Sequence, residues 1–299
     1  MDNKAFLSSL TSGQRAALTQ RSNTKGLIHL MGHVSLIALC SVMILSEILY
    51  WQAIMAVQGV LLIFLFTLLH ETSHKTPFRT IWINDVVGHI CGFILFIPAK
   101  WFKYFHMAHH RFTQIPGLDP EIDTPKPGNW VQYLVHMSGI PIWVGQAKTI
   151  SNNAFQQNNE SLVALVPLAQ NAKVRLESKI YLTMYLCLFA ASIGLGTATL
   201  LYLWLLPIIL GQPFLRLYLL AEHSRCPKVT NMLENTRTTL TNRLVRAIAW
   251  NMAYHTEHHT FPSVPFHRLP ALHALLKPHL QVTSKGYLAF NKVYIQEEL

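Results

Sequence analysis

Charge and cysteine are both scarce in this chain. Of its 299 residues only 13% are charged while 51% are hydrophobic; an ordinary soluble domain carries about 25% charged residues. That excludes a disordered chain and argues against a soluble enzyme. The four cysteines, Cys40, Cys91, Cys187 and Cys226, form no Cys-x-x-Cys pair, which argues against a disulfide framework or a thiolate metal site. Where charge is missing matters more than how much there is. No lysine or arginine falls between Gly26 and His74 or between Ile180 and Leu215, and Glu47 is the sole acid of the first stretch before Glu71. A soluble helix keeps a polar face in water, so stretches of this length without one read as lipid-buried. There is no internal repeat and no low-complexity tract. The polar start up to Asn23, followed by an apolar run of full spanning length, reads as an anchor and not as a cleaved signal peptide.

A spanning helix needs about 20 apolar residues, so each basic-free stretch accommodates two. The expected fold is an all-α integral membrane protein with four transmembrane helices near residues 27–48, 51–70, 179–197 and 200–220, arranged as two hairpins turning at Ser46–Trp51 and Gly194–Thr199. Lys4, Arg15, Arg21 and Lys25 precede the first span, Lys75 and Arg79 follow the second, Lys173, Arg175 and Lys179 precede the third, and Arg216, Arg225 and Lys228 lie at or beyond the fourth. Neither turn is basic. The positive-inside rule then puts both termini in the cytosol, with a cytosolic helical cap from residues 71–178 and 221–299 completing a single domain. A bacterial inner membrane is the favoured setting. The net charge of +10 is accounted for by basic flanks facing anionic headgroups; no nucleic-acid motif accompanies it. Ile81–Ala99, with Asp85, His89 and Pro98, and the short run Trp130–Trp143 read as interfacial or re-entrant helices.

Histidine is abundant, at 16 residues, and eight of them fall in three clusters: His70-Glu71-Thr72-Ser73-His74, His106-Met107-Ala108-His109-His110 and His255-Thr256-Glu257-His258-His259. At 3.6 residues per turn, His70 and His74 lie about 40° apart and each His-x-x-His-His triplet within about 100°. Every cluster therefore presents its imidazoles on one face, and the expected topology delivers all three to one side of the membrane. Many imidazoles gathered and buried without partners are costly, so metal is the natural compensation, and eight ligands suit two ions better than one. Imidazole alone does not name the metal.

Three histidine boxes in this order resemble the membrane-bound fatty acid desaturases and their hydroxylase relatives, over roughly residues 60–275. Asn251-Met252-Ala253-Tyr254, Phe261-Pro262-Ser263-Val264-Pro265 and Asp119-Pro120-Glu121 also look like bacterial desaturases. The resemblance implies a non-haem centre of two iron ions that activates dioxygen, held by His70 and His74, by His106, His109 and His110, and by His255, His258 and His259. It adds His223 from Ala221-Glu222-His223-Ser224 as a ninth ligand. The implied activity is oxygen-dependent desaturation of a fatty acyl lipid, with hydroxylation of a carotenoid or alkyl chain as the alternative on the same scaffold. Three residues intervene between His70 and His74, as in the acyl-lipid and hydroxylase branches. The His-Pro-Gly-Gly mark of a fused haem cytochrome is absent, which implies a separate electron donor of ferredoxin or cytochrome b type.

Other readings compete. His70-Glu71-x-x-His74 fits the zincin pattern of a membrane zinc protease with Glu71 as general base, but leaves six clustered histidines unexplained. A haem cytochrome needs one or two axial ligands, not three boxes. Glu71, Asp85, Asp119, Glu222 and Glu257 are the candidates to orient the imidazoles. Trp101, Phe102, Tyr104 and Phe105 either wall a substrate tunnel or sit at the interface, and Asn231–Thr239 either borders the site or caps helices. Leu269–Leu280 is expected as a short amphipathic piece. His29 and His33 read as headgroup contacts, His89 either reaches the site or hydrogen-bonds within the re-entrant segment and is left out of the ligand set, and His136, His267, His273 and His279 read as surface or capping residues.

Overall fold

In lipid every backbone N–H and C=O must pair within its own segment, which makes apolar runs helical. The computed structural model describes residues 1–122, 125–156 and 160–299. Four stretches are long and apolar enough to cross a bilayer: Ser12–Leu45, Trp51–Ser73, Leu168–Gly194 and Leu201–His223. The long helix of the first is Asn23–Leu45. Large apolar side chains such as Ile28, Leu39, Val42, Leu186 and Phe189 point outward, as a lipid-facing surface requires. The third helix starts at Leu168, well before the apolar run at 179, so Lys173, Arg175 and Lys179 ride on its first turns. Arg216 is likewise not a flanking residue: it is buried within the fourth helix.

The second and fourth helices cross most closely at Gly59 and Gly211. A Cβ on Gly59 would overlap the Pro207 carbonyl, and one on Gly211 would overlap the Gly59 backbone. Small residues of this kind let helices pack where lipid removes the hydrophobic drive between them. Beside the crossing, the buried amide of Gln58 donates to the Leu203 carbonyl at 2.5 Å and accepts from Ser41 at 3.2 Å, so its polar atoms are matched inside the bundle.

Ile81–Ile94 and Ala99–Phe112 meet at 99°. The corner holds Phe96 at φ 59° and Pro98, and Gly92 has no room for a side chain against the Ile97 carbonyl. The bend returns the chain to its starting point: His106, late in the pair, has its Nε2 2.9 Å from that of His74, which precedes it. The run from Trp130 is two helices, Trp130–Ser138 and Ile140–Phe155, broken at Gly139, whose φ is 70°. A Cβ at Gly139 would strike the Gln212 side chain, so this glycine supplies both the turn and the close approach.

After His223 the chain folds into short helices and one parallel pair of two-residue strands, Thr238–Thr239 with Thr283–Ser284. Leu269, Leu272 and Leu276 are fully buried. The last helix, Tyr287–Glu298, is tied to the fourth long helix by the Asn291 amide donating to the Leu217 carbonyl at 3.1 Å.

His29 and His33 are not headgroup contacts. His33 is buried; its Nδ1 accepts from the Trp250 indole at 3.3 Å and its Nε2 donates to the Leu61 carbonyl at 2.8 Å. His29 donates to the Ala247 carbonyl at 2.8 Å and packs edge-on to Trp250. Both pin the first helix to the segment leading into the third box. Spacing cannot reveal this, because Ala247 and Trp250 lie more than two hundred residues away.

Candidate metal centre

Each helix that carries a histidine box or His223 stops at or just past those histidines. The helix Leu65–Ser73 is followed by Lys75 at φ 59°, Ala99–Phe112 by Gln114 at φ 65°, and Leu206–His223 by Arg225 at φ 60°. Trp250 and Asn251, at φ 48° and 60°, turn the chain into the helix His255–Thr260. A left-handed residue at a helix end turns the chain sharply, so helix termini, with their histidines, converge.

All nine sequence-predicted histidines come together, in two groups. His70, His74, His106, His110 and His258 form one; His109, His223, His255 and His259 form the other; within each, one ligand atom per residue lies within 4.8 Å of all the rest. The boxes do not map one to one onto the groups. In each His-x-x-His-His triplet the i, i+4 pair serves one group and the middle histidine the other: His106 and His110 against His109, His255 and His259 against His258. The groups adjoin where the His110 and His259 rings stack at 4.1 Å.

Ring nitrogens face one another at 2.9 Å (His74–His106), 3.2 Å (His110–His258), 3.2 Å (His109–His223) and 3.0 Å (His223–His255). Neutral imidazoles pair by one hydrogen bond only, and His70 Nε2 and His259 Nε2 are buried with no partner at all. At the roughly 2.0–2.1 Å typical of metal–imidazole bonds, neighbouring ligand nitrogens fall about 3 Å apart. The donor set therefore fits two metal ions.

Three of the opposite ring edges, those of His109, His223 and His259, are hydrogen-bonded to the protein, and two more lie close to a carboxylate. His109 Nδ1 lies 2.9 Å from Asp119 Oδ1, His255 Nδ1 3.5 Å from Glu222 Oε1, and His258 Nδ1 3.6 Å from Glu71 Oε1. His223 Nδ1 donates to the Asn235 carbonyl at 3.3 Å. His259 Nδ1 donates at 3.2 Å to the Thr113 hydroxyl, which itself donates to the His109 carbonyl. The hydrogen bonds of His109, His223 and His259 place the proton on Nδ1 and leave Nε2 free for a metal. Thr113 and Asn235 carry no individual sequence signal beyond proximity to the boxes. Asp85 and Glu257 are not among these supports: Asp85 pairs with Lys75, and Glu257 accepts from His273 at 2.5 Å and from Thr238. His273 is thus an internal brace for the third box. His89 sits against the buried Glu177 at 2.7 Å.

Burial pushes His255, His258 and His259 well below the ordinary imidazole range, and neighbouring imidazoles push the same way. Burial takes His74 down to about 3, with His109 and Lys103 adding to it. These rings are neutral near pH 7, the form that binds metal. Burial alone would raise the Asp119 carboxyl, but His109 and the backbone N–H groups of Glu121 and Gln114 hold it below its usual range.

A cavity of about 770 Å³ opens onto the histidines, with His70, His106, His109, His223 and His255 in its wall. Ile63, Phe66, Leu95, Ile97, Trp101, Phe102 and Phe105 make one apolar end. Tyr104 is elsewhere, against Leu162, Val166 and Val174. His136 lines the cavity and is not a surface residue. Glu71, the general base of the zincin reading, is behind the imidazoles: its Oε2 accepts from Thr76 at 2.9 Å and from the Phe266 N–H at 3.1 Å. A hydrolytic base must reach the metal-bound water, and this carboxylate faces the wrong edge of His258.

The family model for fatty acid desaturase matches residues 48–291. An acyl-lipid 8-desaturase of Rebecca salina is 26% identical over 242 residues, 71% of this chain and 54% of the relative. A sphingolipid delta(4)-desaturase/C4-monooxygenase, DES2 of Mus musculus, is 29% identical over 210 residues, 68% of this chain and 58% of the relative. A dihydrorhizobitoxine desaturase of Bradyrhizobium elkanii is 25% identical over 262 residues, 82% of this chain and 73% of the relative. The chain thus spans little more than half the length of the first two.

Proposed function

The chain belongs to the fatty acid desaturase family, and from that premise we propose that it is an oxygen-dependent membrane desaturase of a lipid or acyl substrate, with two iron ions held by His70, His74, His106, His110 and His258 on one side and His109, His223, His255 and His259 on the other. The observation that carries the reading is the sorting of nine imidazoles, seven of them buried, into two metal-sized groups, with members of both groups in the wall of a cavity that has an apolar end. Such a centre supplies, when bound, the activation of dioxygen needed to take hydrogen from an unactivated methylene.

The chain's own residues do the rest. Asp119, Asn235 and Thr113 hold the outer ring edges of His109, His223 and His259, and Glu222 and Glu71 lie beside those of His255 and His258, so the ligand nitrogens keep their aim without rearrangement. Phe102 lies parallel to His106 at 5.5 Å, and with Phe66 and Phe105 it offers a methylene chain an apolar wall next to the histidines and keeps water from it. Desaturation consumes one dioxygen, two electrons and two protons, removes two hydrogens from the substrate and releases two waters. The electrons come from a separate donor of ferredoxin or cytochrome b type. In this reading the four long helices form two hairpins from a cytosolic cap, placing both termini and the nine histidines on the cytosolic side of a bacterial inner membrane.

The experiment is expression in a host lacking the gene, with extracted lipids and acids profiled by mass and the purified protein assayed for iron. A product lighter by two hydrogens, with iron near two per chain, is expected. Iron-free active protein overturns the reading. The combined desaturase and monooxygenase name of the Mus musculus relative favours hydroxylation as the second outcome on the same scaffold, and a product heavier by one oxygen identifies it.

A further inference from the structure

The cavity that reaches the histidines has a second, polar end. Arg216 and Gln212 line it from the fourth helix, and His136 and Gln146 from the broken pair Trp130–Ser138 and Ile140–Phe155. Arg216 is 8% exposed and Gln212 1%. Their polar atoms are not consumed by the fold: Arg216 Nε, Gln212 Oε1, His136 Nε2 and Gln146 Oε1 are all buried without a hydrogen-bond partner. Among the described residues no carboxylate forms an ion pair with Arg216. The acids that feel its charge are Glu222 and Glu121, and both lie nearer the histidines, Glu222 3.5 Å from His255 and Glu121 3.7 Å from His109.

An arginine kept inside a spanning helix is expensive, and among the described residues no carboxylate meets it directly. Its place on the helix is equally specific. Gln212, Arg216 and His223 follow at intervals of four and seven residues, so they share one face, with Arg216 about 10 Å along the axis from His223. The guanidinium thus faces the same cavity as the candidate metal centre, set back by two turns.

We propose that Arg216, with Gln212 and His136 beside it, is the subsite for an anionic group on the substrate, a carboxylate or a phosphate, so that the enzyme acts on an acidic amphiphile whose head is held inside the protein while its chain runs past the histidines into the apolar end. This rests on the desaturase reading and narrows it: the bond oxidised lies several carbons from the anion, because the two sites are two helical turns apart. A planar guanidinium suits either oxyanion through paired hydrogen bonds.

The test is binding, not turnover. The purified full chain in nonionic detergent is titrated calorimetrically with decanoate, decyl phosphate and methyl decanoate, alongside Arg216→Gln and Arg216→Lys, and iron per chain is measured on each preparation. The acid or the phosphate is expected to bind roughly 10- to 100-fold more tightly than the ester, the worth of a charge-assisted hydrogen bond. Arg216→Gln should lose that preference while keeping wild-type iron, and Arg216→Lys should keep part of it. A preference for decanoate assigns a carboxylate head, and one for decyl phosphate a phosphate head. Ester and anions binding equally to the wild type, or Arg216→Gln retaining the preference, overturns the proposal. The wild-type comparison decides even if the variants do not fold. Absence of iron from active wild-type protein would instead overturn the metal-centre reading and leave the anion comparison intact.

Discussion

The Asp119 carboxylate lies 2.9 Å from the Nδ1 of His109, and both side chains are almost fully buried. Asp119 also accepts from the Gln114 and Glu121 N–H groups, so one carboxylate orders the turn after the second box and aims the middle histidine of that box at His223.

Asp119→Ala should therefore damage one metal group more than the other. Loss of a residue that orients a ligand costs about 10- to 100-fold in metal affinity. Iron per chain, measured after dialysis against a mild chelator, should fall from two toward one, and Asp119→Asn, which still accepts from Nδ1, should fall less.

His223→Ala removes a proposed ligand that lies outside the three boxes yet approaches both His109 and His255. The expected outcome is one iron per chain and loss of product in the host lipid profile. His279→Ala, which lies outside both groups, should retain both irons.

Acidification should destabilise the metal-free protein. The imidazoles of His255, His258 and His259 are held well below their ordinary value of 6.5 in the folded state. The unfolded chain therefore takes up protons near that value while the folded chain resists them. Stability is present above pH 6.5 and is lost as pH falls below it. Thermal unfolding of apo protein in detergent, followed from pH 8 to pH 5, should show the midpoint drop across that window. Bound metal should hold the midpoint up over the upper part of the same window, because protons must then compete with the ion.

Gly211→Val places a branched side chain where the Gly59 backbone already stands. Overpacking in a tight site costs about 1–3 kcal/mol and more where backbone is the obstacle. The variant should unfold at lower temperature, and iron binding should weaken with it, since the same helix carries His223. Gly194→Val, where a side chain meets open space, is the control.

Glu71→Gln separates metal hydrolysis from ligand support. A zinc protease would lose nearly all activity. In this protein the amide introduced by the substitution can keep the contacts with Thr76 and Phe266, so partial iron loading and measurable desaturation are expected.

The class of the molecule and the eight histidines of its three boxes are legible along the chain, whereas His223 is reached only through the family resemblance. An apolar run of spanning length that carries no lysine or arginine has to pair its backbone as a helix in lipid, and imidazole spacing at helical period puts the rings of each box on one face. His29, His33, His273 and Arg216 depart from their expected places for the opposite reason. Each takes its role from a partner or a cavity wall far away in sequence or on another element: Trp250 for His33, Glu257 for His273, the space between the fourth helix and the broken pair for Arg216. Likewise the division of each triplet between two groups, and the choice of Asp119, Glu222 and Glu71 over Asp85 and Glu257, depend on how helix ends meet. Local rules decide which face a residue occupies; which group stands opposite is decided only when the helices pack.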